Sequence, residues 1–201
     1  MPKVRSKKNK YILNGKNGKI ALQMLHDITD ILDKYNINYW LDFGTLLGVI
    51  RENRILPWDD DIDISIFEAD KEIMINKVLP AIQKAKYRAY TKRLEEDAEP
   101  FKKGNVRAFK IRNNRLFFFR GYVTLDIFIM YNYEESIYWY ELGRPHILPR
   151  KLVAEFEMIE FNGKKYRVPK EYDAYLTYHY GDWRIPNKEY NASLENIRTL
   201  A

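Results

Sequence analysis

The sequence predicts a mixed α+β domain, and three stretches carry that expectation. Ala21, Leu25, Ile28 and Leu32 recur at the spacing of one helix face. Asp61 to Phe67 alternates apolar and polar residues, the pattern of a strand with one buried side. Asn162-Gly163 sits between two β-prone segments, the residue pair that a two-residue hairpin turn selects. With 201 residues, the chain is long enough for one domain with a sizeable core.

The elements follow in order. The first helix, joined on its apolar face by Met24 and Ile31, carries Asp27, Asp30, Asp33 and Lys34 on the opposite face and ends near Asn36. Tyr39 to Phe43 reads as a short aromatic strand that stops at Gly44, and Thr45 to Arg51 as a loop leading into a helix. After a turn at Pro57 comes the alternating strand, with Ile62, Ile64 and Ile66 on one side and Asp61, Asp63 and Ser65 on the other. Residues 70–86 are helical in pattern, with Pro80 kinking or ending the helix, and Thr91 to Gly104 reads as a loop. Val106 to Arg112 and Leu116 to Met130 are strands. In the second of these Val123, Leu125, Ile127 and Ile129 share a face, so Asp126 points the other way. The hairpin FEMIEFNGKKYRV and a helix over Glu171 to Tyr180, closed by Gly181, complete the chain.

Composition excludes several classes. Hydrophobic residues at 46% and charged residues at 31% describe a globular chain, and the absence of cysteine removes disulfides, thiolate metal sites and a cysteine nucleophile. The net charge of +6 comes from the start of the chain, where Lys3, Arg5, Lys7, Lys8, Lys10, Lys16 and Lys19 stand without an acid. The remainder has 27 basic against 28 acidic residues. Residues 1–19 therefore read as a basic tail and residues 20–201 as the domain, and no nucleic-acid partner is expected. No apolar run approaches the roughly 20 residues of a membrane helix or forms a signal peptide, which makes the cytoplasm the expected location. His26, His146 and His179 lack metal-ligand spacing, and neither a GxSxG elbow nor a GxxxxGK phosphate loop occurs.

The chemistry concentrates in FGTLLGVIRENRILPWDDDIDISIF, residues 43–67, where Asp59, Asp60, Asp61 and Asp63 crowd into five positions. Carboxylates so close repel one another and call for a cation, although Asp59 and Asp60 also read as turn residues capping the strand after Pro57. Asp61 and Asp63, two apart on a strand, leave one face with Cα atoms roughly 6.5–7 Å apart, a span that one or two divalent ions bridge. Oxygen-only ligands favour Mg²⁺ or Mn²⁺. Asp126 repeats the pattern of an acid between core isoleucines, and on a neighbouring strand it would bring a third carboxylate to that face. Gly44-Thr45, after a strand and before a helix, suits a phosphate at a helix N-terminus. Residues 101–120 hold Lys102, Lys103, Arg107, Lys110, Arg112, Arg115 and Arg120 without an acid, a basic run suited to polyphosphate.

These residues resemble the signature of the LicD family, relatives of fukutin and the fukutin-related protein within the nucleotidyltransferase-fold superfamily. The match follows the family order: Gly44-Thr45, then Asp61-Ile62-Asp63, then Asp126. VPKEYDAYLTYHYGDWRIP, residues 168–186, is similar to the tyrosine-rich segment near the C-terminus of such proteins. The resemblance implies a nucleotidyltransferase-like mixed sheet flanked by helices, with an additional C-terminal hairpin and helix. It further implies transfer of a phosphorylated small group, of phosphocholine or alditol phosphate type, from a CDP-activated donor to a hydroxyl of a sugar or glycan. In that reading Asp61, Asp63 and Asp126 hold Mg²⁺ or Mn²⁺, with Asp126 either completing the metal shell or accepting the hydroxyl proton. Arg51, Lys110 and Arg112 meet phosphate beside Gly44 and Thr45, and Trp58, Tyr180 and Trp183 offer surfaces for a base or sugar. Transfer of a nucleoside monophosphate is the alternative within enzymes, and a non-catalytic binding module the alternative outside them.

Overall fold

The computed structural model describes residues 12–115 and 119–186. Helix α1 spans Gly15–Lys34 and leads to strand β1, Tyr39–Leu41. Helix α2, Phe43–Glu52, and strand β2, Asp61–Phe67, follow. A helical stretch then passes from a 3₁₀ turn, Glu68–Asp70, through α3, Lys71–Ile73, and a π turn, Met74–Val78, into α4, Leu79–Lys84. Pro80 neither ends nor interrupts this helical stretch; it stands in the first turn of α4, directly after the π turn Met74–Val78. Strands β3, Arg88–Arg93, β4, Val106–Arg115, β5, Phe119–Tyr133, β6, Ser136–Glu141, and β7, Arg144–Pro149, come next. A 3₁₀ turn, Arg150–Val153, then leads to β8, Phe156–Phe161, β9, Lys164–Pro169, and α5, Tyr172–Tyr180.

The α+β prediction holds, with these differences. β1 stops at Leu41 and α2 already begins at Phe43, inside the strand predicted for Tyr39 to Phe43. Helix α1 begins at Gly15, so Lys16 and Lys19 are exposed helix residues and not tail. Leu13 is already buried, and the Leu13 N–H bonds the Asp59 carbonyl. Residues 1–11, with Lys3, Arg5, Lys7, Lys8 and Lys10, lie outside the described residues. Thr91 to Arg93, read as loop, belong to the edge strand β3, and the hairpin of β6 and β7 has no counterpart in the sequence reading. Leu116 to Phe118, the start of the long predicted strand, also lie outside the described residues. The Asn162-Gly163 hairpin forms as predicted, with φ of 49° and 76° at the two turn residues.

The main sheet runs β1-β2-β5-β4-β3, with β2 and β5 parallel and the other pairs antiparallel, and β6 and β7 extend it from the far end of β5. Its apolar face is built by Ile62, Ile64, Ile66, Phe109, Ile111, Leu125, Ile127 and Ile129, all fully buried in one core with Met24, Leu25, Ile28 and Leu32 of α1 and Met74, Val78 and Ile82. The opposite face is covered at one end by α2 and α5, where Phe43 packs on Phe128 and Ser65 is buried. Acids and bases emerge on that face beyond the helices. No described helix is long and apolar enough to cross a membrane.

Candidate active site

The site begins where β1 gives way to α2. The ladder between β1 and β2 continues one residue past β1, because the Asp42 N–H donates to the Asp63 carbonyl at 3.2 Å. The Asp42 carbonyl then leaves the sheet to accept the Leu46 N–H as the first bond of α2. That would orphan the Asp63 N–H, and the Thr45 hydroxyl replaces the lost acceptor at 2.9 Å. Phe43 makes this exchange with φ of 41°, a left-handed conformation costing about 1–3 kcal/mol for a bulky residue. Compensation comes from the Asp42 carboxylate, which accepts the Phe43 N–H at 2.7 Å, and from the packing of the Phe43 ring against Phe128, His179 and Trp139.

The parallel pairing of β2 and β5 sets Asp61 opposite Thr124 and Asp63 opposite Asp126, so the three predicted acids share one sheet face. Neighbouring strands are about 4.8 Å apart. Two unit charges at about 5 Å cost roughly 3 kcal/mol at an effective dielectric near 20, too much for three such acids to stay ionised uncompensated. Burial, then the field of Asp126, Asp60 and Asp59, pushes Asp61 well above the usual carboxylate range, with Lys110 acting weakly against it. Burial, followed by the fields of Asp61, Asp59, Asp126 and Glu141, does the same to Asp63. Burial lifts Asp59 to about 6. Among the described residues no hydrogen bond or ion pair reaches the Asp61 or Asp63 carboxylate.

The acids do not close as the sequence predicts. Among the described residues, the trio whose oxygens lie within 4.8 Å of one another is Asp59, Asp60 and Asp61. Asp126 stands beside Asp63 but is held by Lys110, whose Nζ donates to its two oxygens at 2.5 and 2.8 Å. A cluster of hard oxygen donors fits a divalent cation, and Asp61 belongs to both groups.

The other predicted residues divide. Lys110 and Arg112 lie on the same face, one strand beyond Asp126 and Thr124, and Arg112 donates through Nε to the Tyr90 hydroxyl at 2.9 Å. Gly44 touches the acidic cluster, since a Cβ there would collide with Asp59 Oδ2. The Asp59 carboxylate therefore occupies the N-terminus of α2 that the sequence offers to phosphate, and the Thr45 hydroxyl serves the Asp63 N–H. Arg51 is not brought to the acids. It lies about 10 Å along α2 from Gly44, paired with Glu52 at 2.6 Å and donating to the Trp183 carbonyl at 3.1 Å. Trp183 is buried, while Trp58 faces the Arg54 guanidinium 5.7 Å away. Asp42 escaped the sequence reading, although an acid inside the apolar run YWLDF breaks the same rule that exposed Asp126. It is fully buried, accepts from Ser65 Oγ and the Tyr175 hydroxyl at 2.5 Å each, and burial raises it to about 6.

Three comparisons bear on this geometry. The family model described as LicD/FKTN/FKRP, nucleotidyltransferase domain, matches residues 36–171, from the approach to β1 through β9. The ribitol-5-phosphate transferase FKTN of Macaca fascicularis is 27% identical over 179 residues, 86% of this chain and 35% of that protein. The lipopolysaccharide cholinephosphotransferase LicD of Haemophilus influenzae is 42% identical over 45 residues, 22% of this chain and 17% of that protein. Among solved structures, the antibiotic-resistance factor ANT(2'')-Ia in solution superimposes with a TM-score of 0.48 at 14% identity, covering 87% of this chain and 81% of that one. The chain spans 29–35% of the length of the first curated relatives it matches.

Proposed function

The chain belongs to the LicD/FKTN/FKRP nucleotidyltransferase-domain family, and from that premise we propose that it transfers a phosphorylated small group, ribitol phosphate or phosphocholine in type, from a CDP-activated donor to a hydroxyl of a sugar or glycan. The observation that carries this reading is a cluster of mutually repelling acids, Asp61 and Asp63 with Asp59 and Asp60 beside them, adjoining a cationic row, Lys110 and Arg112, on one sheet face. The names of the two relatives supply the transferred groups.

In this reading Asp61 and Asp63 hold Mg²⁺ or Mn²⁺ with help from Asp59 and Asp60. Such an ion neutralises pyrophosphate oxygens and stabilises the charge that develops in phosphoryl transfer. The chain's own groups do the rest. Lys110 and Arg112 meet the outer phosphate oxygens, and Gly44 leaves the backbone at the start of α2 open to the acidic cluster. The acceptor oxygen bonds to the donor phosphorus that bears the small group, the bond from that phosphorus to the oxygen shared with CMP breaks, and CMP leaves. The proton of the hydroxyl passes to Asp126, the acid that borders the cationic row.

Incubating the full chain with CDP-choline or CDP-ribitol, a glycan acceptor and Mn²⁺, and weighing the product, tests the reading. An acceptor heavier by phosphocholine or ribitol phosphate, with free CMP, is the expected result. An acceptor heavier by CMP assigns nucleotidyl transfer instead, and nucleotide binding without turnover assigns the binding module.

A further inference from the structure

The Asp63 backbone is gripped on both sides, by the Asp42 N–H at its carbonyl, where the β1 ladder runs on, and by the Thr45 hydroxyl of α2 at its N–H. The second grip depends on the left-handed turn at Phe43, which joins the end of β1 to the first turn of α2. The Asp42 carboxylate braces that turn. One oxygen accepts the Phe43 N–H and the Tyr175 hydroxyl, and the other accepts Ser65 Oγ, from the residue two beyond Asp63 on the same strand face. Four elements thus meet at one buried carboxylate: the end of β1, the start of α2, the middle of β2, and α5. Tyr175 belongs to the tyrosine-rich C-terminal helix, 133 residues away in sequence, and is fully buried there. A helix far along the chain therefore reaches the site without touching its acids.

We infer that Asp42, braced by Tyr175 and Ser65, is a positioning residue for Asp63: it fixes the turn through which α2 holds the Asp63 backbone, and so keeps that carboxylate on the face it shares with Asp61 and Asp126. A buried carboxylate that accepts three hydrogen bonds is costly to disturb and holds its donors to one geometry. The metal-linked part of the inference rests on the function proposed above, whereas the geometric part does not.

The test uses the full chain and two mild variants, Tyr175→Phe and Ser65→Ala, each deleting one donor to Asp42. Amide hydrogen exchange by NMR reads the Asp63 N–H directly, and a Mn²⁺ titration followed by thermal shift reads the site. Exchange at Asp63 should quicken by about tenfold or more while Ile111 and Ile127 in the same sheet stay within about twofold, since only a local grip is loosened. The Mn²⁺ midpoint should rise by about tenfold. Unchanged exchange at Asp63 overturns the inference, as does equal acceleration at all three amides or an unaltered Mn²⁺ midpoint beside a responsive wild type. A wild type blind to Mn²⁺ removes the ion from the proposed reaction, and the exchange comparison then decides the positioning role alone. Should Tyr175→Phe fail to fold, Ser65→Ala carries the same comparison.

Discussion

Asp63 exemplifies how one side chain can be a defect for stability and an asset for binding. Its proton affinity is raised in the folded chain, as are those of Asp61, Asp59 and Asp42. A group that binds its proton more tightly folded than unfolded stabilises the fold while protonated and loses that contribution as pH rises. The ion-free protein should therefore lose stability from about pH 4 upward, through about 6 where Asp42 and Asp59 titrate, with Asp61 and Asp63 adding to the loss above the usual carboxylate range. Urea unfolding between pH 4.5 and 7.5 measures the slope. Asp63→Asn should flatten it and leave the ion-free protein more stable than wild type at pH 7.5 by about 1–3 kcal/mol, because an uncompensated buried charge is gone. The same variant should lower transfer by at least the roughly 10–100-fold that losing a group supporting a metal costs, measured as CMP release. Asp42 was as visible in the sequence as Asp126, each an acid within an apolar run. What the sequence does not carry is the identity of the partners, Tyr175 for one and Lys110 for the other, which depend on docking and register.

Among the elements, the junction of β1, α2 and β2 concentrates the architecture of the site. Thr45→Val keeps the shape of the side chain but orphans the buried Asp63 N–H, and should destabilise by about 1–3 kcal/mol in urea, whereas Thr45→Ser keeps the acceptor and should stay near wild type. A loss shared equally by both variants would assign the effect to packing. Element legibility followed local chemistry. β2 and the β8–β9 hairpin were readable because alternation and Asn162-Gly163 are local signals. The β6–β7 hairpin was not, because its turn places Leu142 at φ of 51°, a conformation that sequence rules reserve for glycine, asparagine or aspartate. β3 hid for a different reason. RAYTKR is an edge strand whose exposed Arg88 and Arg93 give it the composition of a loop.

At the scale of the molecule, the sheet order brings together residues that the chain keeps apart. Parallel pairing of β2 with β5 sets Asp126 beside Asp63, and antiparallel pairing of β4 with β5 sets Lys110 beside Asp126. The periodicity gave the facing of each strand, and the family resemblance gave the order of the acids. The register that hands Asp126 to Lys110, and leaves Asp59, Asp60 and Asp61 as the close trio, lies in tertiary pairing. Because the unfolded chain scatters these acids, an ion that gathers them should stabilise the whole fold. Mn²⁺ at about 100 times its dissociation constant adds roughly 2.7 kcal/mol, about 5–10 °C in melting temperature for a chain of this size. The central claim is that the acids on this sheet face are a seat for a divalent ion. Electron paramagnetic resonance of free Mn²⁺, titrated with wild type and with Asp61→Asn and Asp63→Asn, tests it most directly. Wild type should deplete the free-ion signal and each variant should bind at least about tenfold more weakly. A signal untouched by wild type, or variants that bind as tightly as wild type, would contradict it.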